Sequence, residues 1–110
     1  MATVYKNAQL QGTAALGTYG TLYSTGASTT AVVSTILIVN TSSAATQYRI
    51  AIMGSAGTPA NPQFVVYDDT CAANDVVAFT IGITLGNSQY IRVSSSADTL
   101  GFTAFISEIS

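Results

Sequence analysis

The chain has 110 residues, enough for one domain, and only 7% of them are charged, against roughly 25% in an average soluble domain. It contains no histidine and one cysteine, which excludes Ser-His-Asp catalysis, a His-ligated metal and an intramolecular disulfide. Its three basic residues are too few to neutralise a phosphate backbone, so the composition argues against nucleic-acid binding and enzymes and favours a packed structural module.

Short β-forming segments follow one another along the chain, separated by clusters of Gly, Asn, Ser and Asp. No segment shows the apolar stripe of an amphipathic helix. We therefore predict an all-β fold, an antiparallel β-sandwich or jelly-roll-like arrangement of about eight strands with little or no helix. Residues 1–20 are expected to form an N-terminal arm or first strand that could serve for attachment, and residues 21–110 a single sandwich domain.

The first half of the chain contains four predicted strands. The strongest is Ala31–Asn40, whose continuous apolar run predicts a strand covered on both faces, by the core or by an interface. Thr46–Met53 alternates, with Tyr48 and Ile50 facing inward. The polar turn between these two strands predicts an antiparallel hairpin. The two earlier strands are Thr3–Leu10 and Thr21–Ser24.

The second half begins with the longest loop, Gly54–Pro62, where glycine and prolines interrupt any strand. Four further strands are predicted after it. One is long and alternates, with an inward face formed by Val77, Phe79, Ile81, Ile83 and Leu85. The other three are Gln63–Tyr67, Tyr90–Ser94 and Leu100–Ile106.

Few side chains could carry chemistry. Asp68, Asp69 and Asp75 offer hard oxygen ligands, but their spacing matches no calcium-binding loop, so we expect capped turns and no metal or cofactor. Paired carboxylates also catalyse glycoside hydrolysis, but the absence of Trp and the little room for a cleft argue against that activity. Arg49 and Arg92 alternate away from the apolar positions, and each is expected to pair with an acidic residue. The lone cysteine, Cys71, is predicted to be a free thiol.

The aromatic residues divide into two groups. Tyr48, Phe79 and Phe102 fit the core by alternation. The others do not obviously fit it, and aromatic residues outside a core are typical anchors of protein interfaces. Partial burial at the edge of the sandwich is the alternative. The candidate interface residues are therefore Val4, Tyr5, Tyr19, Tyr23 and Phe105.

The order and spacing of several segments resemble small virion proteins of tailed phages. The resemblance covers roughly residues 20–110, and each matching segment is a strand pattern without a catalytic signature. Because the pattern marks a scaffold, it assigns no functional residue. The segments include Ala31–Ile36, Tyr48–Ile52, Thr80–Leu85, Ile91–Ser95 and Phe102–Ile109.

This resemblance implies a non-enzymatic particle component. The favoured member of the class is a capsid decoration (cement) protein, which stabilises the head by binding major capsid subunits and commonly forms a homotrimer. A tail, neck or fibre component of the same particle is the alternative. The implied location is the capsid surface of a virion assembled in the host cytoplasm, with no membrane, nucleic-acid or small-molecule partner. The opening MATVYKNAQLQ accordingly lacks the pattern of a secretory signal.

A third hypothesis belongs to a different class, the carbohydrate-binding β-sandwich. Exposed aromatic rings can stack on sugar rings, and neighbouring polar side chains can hydrogen-bond the sugar hydroxyls. Here the stacking rings would be Tyr19, Tyr23 or Tyr90, with Asp68 or Asn87 as the polar partners. The absence of Trp argues against this hypothesis.

Overall fold

A computed structural model describes residues 2–110 as nine β-strands and one short 3-10 helix. The predicted all-β class is therefore confirmed. The 3-10 helix covers Asn61–Gln63. The strands are β1 (Thr3–Gln11), β2 (Gly20–Ser24), β3 (Thr30–Asn40), β4 (Thr46–Met53), β5 (Phe64–Cys71), β6 (Val76–Phe79), β7 (Ile83–Leu85), β8 (Tyr90–Ser95) and β9 (Leu100–Ile109).

The strands form two antiparallel sheets. Sheet one has the order β1-β9-β3-β6, with β7 also paired to β3, and sheet two has the order β2-β8-β4-β5. Strands β6 and β7 pair with consecutive stretches of β3, Ile36–Val39 and Ala31–Val33, so together they act as one interrupted strand. Counted in this way, the eight strands have the order of a jelly roll, in which most consecutive strands cross from one sheet to the other.

The predicted hairpin of β3 and β4 is wrong, because these strands belong to different sheets. The chain crosses between the sheets immediately after Asn40, whose buried side chain stabilises the crossing. Its Nδ2 donates to the carbonyl oxygens of Ala44 at 2.9 Å and Cys71 at 3.2 Å, and its Oδ1 accepts from the Ser42 amide at 3.0 Å. These bonds hold the chain in a turn that leads from sheet one to sheet two. A hairpin would have kept both strands in the same sheet.

The core lies between the inner faces of the two sheets. Tyr48 and Phe102 are fully buried, and the Tyr48 ring meets Phe102 and Phe79 in edge-on contacts with centroids 6.4 Å and 6.2 Å apart. The prediction that these three rings belong to the core is confirmed. Cys71 is a free thiol, as predicted, but it is fully buried, and this burial raises its pKa.

The long alternating strand predicted over Val77–Leu85 is interrupted. Thr80, Ile81 and Gly82 leave the sheet between β6 and β7, and Gly82 adopts a φ of 67°, a left-handed conformation that glycine tolerates. Ile81 is consequently exposed at this break instead of lying on the apolar face. The alternation resumes with Ile83, which is buried again.

No helix in the described part of the chain is long and apolar enough to span a membrane.

Candidate protein interface

Among residues 2–110, the strand positions on the outer face of sheet one carry no charged side chain. The face is defined by alternation, since the intervening residues of β1 and β9 point towards the core. It contains hydroxyl, amide and apolar side chains in a mixture. Its residues are Thr3, Tyr5, Asn7, Gln9 and Gln11 of β1; Gly101, Thr103, Phe105, Ser107 and Ile109 of β9; Val32, Thr35, Leu37 and Val39 of β3; and Val76, Ala78 and Thr84 of β6 and β7.

Large apolar side chains are concentrated on this face. Of the nine that are exposed in the described chain, five lie here: Tyr5, Val32, Val39, Val76 and Phe105. Tyr5 is 82% exposed and Phe105 41%. Tyr5 pairs with Ser107 and Asn7 pairs with Phe105, so the two rings are diagonal neighbours across β1 and β9. The structure thus brings two of the candidate interface residues together on one surface.

A depression of about 520 Å³ lies at the opposite end of the same face. Its floor is Gly101, which lies between Gln11 of β1 and Val39 of β3 in the sheet. A Cβ atom added at Gly101 would meet nothing within 4 Å, so the missing side chain leaves open space. Thr99 and the carboxylate-bearing Asp98 belong to the rim. The face therefore has the exposed ring of Tyr5 at one end and this depression, called the dent below, at the other.

The other three candidate residues lie elsewhere. Val4 is exposed, but it alternates with Tyr5 and so points away from the uncharged face. Tyr23 is only 8% exposed and packs in the core, so the assignment of its ring to a surface is corrected. The pairing of β2 with β8 shifts between Thr21 and Tyr23, so simple alternation does not hold there, and the Tyr23 hydroxyl donates to Glu108 Oε2. Tyr19 is half-buried on sheet two, where it packs against Phe64.

Arg49 organises an aromatic cluster on the outer face of sheet two. Its Nε lies 2.5 Å from Asp68 Oδ1, its Nη1 donates to the Tyr19 hydroxyl at 3.0 Å, and its guanidinium carbon lies 4.2 Å from the centre of the Tyr67 ring. Tyr67 also meets Phe64 edge-on with centroids 4.9 Å apart. The bonds from Asp68 and Tyr19 raise the pKa of Arg49, which stays fully charged.

A β-bulge makes this cluster possible. The pairing of β4 with β5 shifts after Tyr48, and Asp68 adopts a φ of 53°, which is uncommon for a residue other than glycine. Tyr67 and Asp68 can therefore both reach Arg49, although neighbouring strand residues normally point to opposite faces. Alternation alone does not reveal such a bulge, and for that reason Tyr67 could not be identified from the sequence pattern.

The two arginines behave differently. Arg49 has the acidic partner that was predicted, Asp68. Arg92 does not, since within the described chain its Nη1 donates to the Thr21 hydroxyl at 2.8 Å and its buried Nε has no hydrogen-bond partner. The prediction of an acidic partner for Arg92 is therefore wrong. Its cross-strand partners are Thr21, which offers a hydroxyl group, and Ala51, which has no side-chain acceptor.

Within residues 2–110, no group of three or more Cys, Asp or Glu side chains is placed to hold a metal ion. The second depression, of about 500 Å³, is lined by Asn61, Phe64 and Tyr67 and contains no ionisable acid or base other than the tyrosine phenol. Comparison with models of protein families, with curated proteins and with solved structures found no match to this chain.

Proposed function

We propose that this chain is a non-enzymatic structural component of a bacteriophage particle, most simply a capsid decoration (cement) protein that binds major capsid subunits and stabilises the head. The observation that carries the proposal is the uncharged outer face of sheet one, with Tyr5 and Phe105 exposed on it. A tail, neck or fibre component of the same particle would use the same face.

The composition of this face is that of a surface covered by protein. Interfaces are about as apolar as the average protein surface, but their centres are depleted of charged residues and enriched in aromatic ones. Covering hydroxyl and amide groups requires less desolvation than covering unpaired charges. A contiguous exposed surface with Tyr5, Phe105, Val32, Val39 and Val76 would also favour association of a free protein in solution.

The fold is compatible with this role without dictating it. Jelly rolls occur in viral capsid proteins, in lectins and in cupins, so the strand order is shared by these classes of protein and does not by itself assign the function. The phage assignment itself comes from the resemblance of the strand segments between residues 20 and 110. The uncharged face is the argument for a role in an assembly, and the resemblance is the argument that the assembly is a phage particle.

The number of copies in an intact particle tests the proposal. Particles purified from cells that produce this chain would be analysed by quantitative mass spectrometry, with the major capsid protein as the internal reference. A decoration protein should be present in a fixed ratio close to that of the capsid protein. A far smaller fixed ratio would indicate the tail or neck, and absence of the chain from the particles would refute the proposal.

A carbohydrate-binding module is the second candidate, because Tyr67 and Phe64 border an open depression together with the amide of Asn61. Two of the residues first considered for sugar binding fit less well, since the stacking candidate Tyr23 is buried and the hydrogen-bonding candidate Asp68 is paired with Arg49. Binding on a glycan array that is lost in Tyr67→Ala and kept in Tyr5→Ala would favour this function. Absence of glycan binding would eliminate it.

A further inference from the structure

We propose that the outer face of sheet one packs against the same face of a second copy of this chain, as a two-fold symmetric pair. The inference rests on the proposed function, since both take this face to be covered by protein. It names a second copy of the chain as the cover, which leaves the other surfaces of the pair to contact the capsid subunits. Three features of the face carry it: the absence of charge, the area, and the positions of Tyr5 and Gly101.

The absence of charge makes the face compatible with itself. A two-fold interface brings the same patch of both copies together, so a net charge on that patch would be repelled by its own image. The strand residues of this face carry no charge in the described chain. The charged strand residues that point outward lie instead on sheet two, as Arg49, Asp68 and Arg92. A second copy can therefore cover sheet one without an unpaired charge at the centre of the interface.

The area of the face is sufficient for a specific pair. Its longer strands have 9 to 11 residues, which corresponds to about 30 Å at roughly 3.3 Å per residue. Four adjacent strands at about 4.8 Å each add about 19 Å of width. The projected area is thus about 570 Å² per copy, or about 1,100 Å² for the pair, above the roughly 1,000 Å² expected of a specific interface.

Tyr5 and the dent at Gly101 lie at equal distances, on opposite sides, from a line that crosses the strands of the sheet at a right angle. Tyr5 is at the level of Ser107 and the dent is at the level of Gly101, with Ala104 midway between them on β9. A two-fold axis that lies in the contact plane and crosses the strands at the level of Ala104 therefore places Tyr5 of each copy over Gln11 of the other, on the β1 side of the dent. The Asp98 carboxylate at the rim of the dent offers an acceptor for the tyrosine hydroxyl.

The same axis places Phe105 near the centre of the interface. Phe105 lies one residue from Ala104, so the Phe105 rings of the two copies flank the axis, each facing Thr103 of the other copy. The amide side chains of Gln9 and Gln11 then belong to a polar rim. An apolar centre with a polar rim is the usual arrangement of protein interfaces.

This pair differs from the homotrimer that the phage resemblance implies. In a three-fold symmetric trimer each copy needs two different patches that fit each other, whereas in a two-fold symmetric pair each copy needs one patch that fits itself. The side chain of Tyr5 and the dent at Gly101 lie on the same face of one sheet, and that placement fits the two-fold case.

The test measures the mass of the isolated full-length chain by light scattering after size exclusion and by sedimentation equilibrium. The wild type should be a dimer. Gly101→Val fills the dent, and Tyr5→Asp puts a charge on its β1 side; each should weaken the dimer at least about 10-fold, the loss typical of an interface anchor. The matched control is Val65→Asp, which places the same charge at an exposed position on β5, an edge strand of sheet two, and should remain dimeric.

Folding of the variants is verified separately. At a concentration at which both proteins are monomeric, Gly101→Val should keep the wild-type circular dichroism and melting temperature, because no atom lies within 4 Å of the new Cβ and the backbone is not left-handed. It therefore reports on association even if Tyr5→Asp folds poorly. A wild type that is monomeric or trimeric would overturn the proposal, and so would a dimer that is unaffected by Gly101→Val.

Cross-linking locates the contact independently of dimer strength. Thr103→Cys lies close to the proposed axis, so a short bis-maleimide should join two copies, whereas Val65→Cys should not be joined. The native Cys71 is fully buried and does not compete for the reagent. Equal cross-linking of the two variants would overturn the proposal. These measurements use the isolated chain, so their failure is distinct from absence of the chain from particles, which would refute the proposed function.

Discussion

Tyr23 and Glu108 connect the two sheets through a hydrogen bond. The Tyr23 hydroxyl, on β2 of sheet two, donates to Glu108 Oε2 on β9 of sheet one. Lys6 Nζ lies 3.2 Å from the other carboxylate oxygen, so Glu108 receives a hydrogen bond and a cation together. The hydrogen bond from Tyr23, followed by that from Lys6, lowers the pKa of Glu108. Burial, followed by the bond to the carboxylate, raises the pKa of Tyr23.

The first prediction concerns acid stability. Since the folded-state pKa of Glu108 lies below its unfolded value of about 4.3, its contribution is complete above that pH and is lost as the pH falls through the folded pKa. Glu108→Gln should therefore be less stable than the wild type at neutral pH and lose less stability on acidification. The measurement is the melting temperature of both proteins from neutral pH down to about pH 3.

A matched charge control separates this effect from net charge. Asp75→Asn removes the same single charge from an exposed turn, so its melting temperature should follow the wild-type pH profile. Identical acid profiles for Glu108→Gln and the wild type would contradict the role of the Tyr23–Glu108 bond.

The second prediction concerns alkaline stability and Tyr48. Burial, followed by the hydrogen bond that its hydroxyl donates to Asp69 Oδ2 at 2.7 Å, raises the pKa of this phenol well above its usual value. A raised folded-state pKa stabilises the protein fully below the unfolded value of about 10, and the contribution is lost as the pH rises further. The wild type should therefore lose stability above about pH 10.

Tyr48→Phe separates the hydroxyl from the ring. The variant keeps the edge-on contacts with Phe79 and Phe102 but loses the bond to Asp69, so it should be less stable by about 1 kcal/mol at neutral pH. Its stability should decline less between about pH 9 and about pH 11, because the unfolded variant has one phenol fewer to ionise while the buried phenol of the wild type stays protonated. Urea unfolding at these pH values measures both effects, and an equally steep alkaline decline would contradict the assignment to Tyr48.

Much of the fold can be predicted from the alternation of side chains along each strand. The wrong predictions concern features, such as strand pairing, that this local pattern does not determine. Alternation predicted that Tyr48 and Phe102 are buried, because strand residues alternate whatever their partners are. It could not tell whether β3 continues into its own sheet or crosses to the other one. That choice depends on the hydrogen bonds of Asn40 to Cys71, which is 31 residues away along the chain.

The candidate interface could be predicted in part for the same reason. Low charge pointed to a covered surface, but only the strand pairing shows that Tyr5 and Phe105 share a face. Tyr23 was misplaced because a short strand of five residues gives too little alternation to assign its faces. The dent at Gly101 depends on three strands that are distant in sequence, so no local pattern could indicate it.

The third prediction concerns Arg49. We expect that a lysine at this position cannot make the contacts of the arginine. Its guanidinium forms a two-atom contact with Asp68, a hydrogen bond with the Tyr19 hydroxyl and a stacking contact with Tyr67. A lysine ammonium is a point charge and cannot make these contacts together. Arg49→Lys should reduce the free energy of unfolding by about 1–2 kcal/mol. Chemical denaturation measures this loss, and Lys6→Arg, at an exposed ion pair, is the control that should change stability little.

The fourth prediction compares two glycines of opposite surroundings. Gly12 is buried, and an added Cβ would overlap Ser95 Oγ and lie 3.0 Å from the Leu100 carbonyl oxygen. Ser95 cannot simply turn away, because its hydroxyl oxygen lies 2.9 Å from the carbonyl oxygen of Thr13 and 2.8 Å from that of Ala97, and its single hydrogen is donated to one of them. Gly12→Ala should therefore lower the free energy of unfolding by about 1–3 kcal/mol.

Gly101→Ala is the matched substitution in open space. Its Cβ meets nothing within 4 Å, and the residue lies on the central strand β9, where glycine is less favourable than alanine by roughly 0.5–1 kcal/mol. The stability of the folded monomer should therefore stay the same or rise, in contrast to the loss in Gly12→Ala. Urea midpoints of the two variants, measured below the concentration at which the chain associates, make the comparison. A destabilised Gly101→Ala monomer would show that the dent is not open and would remove the space that Tyr5 of a second copy needs.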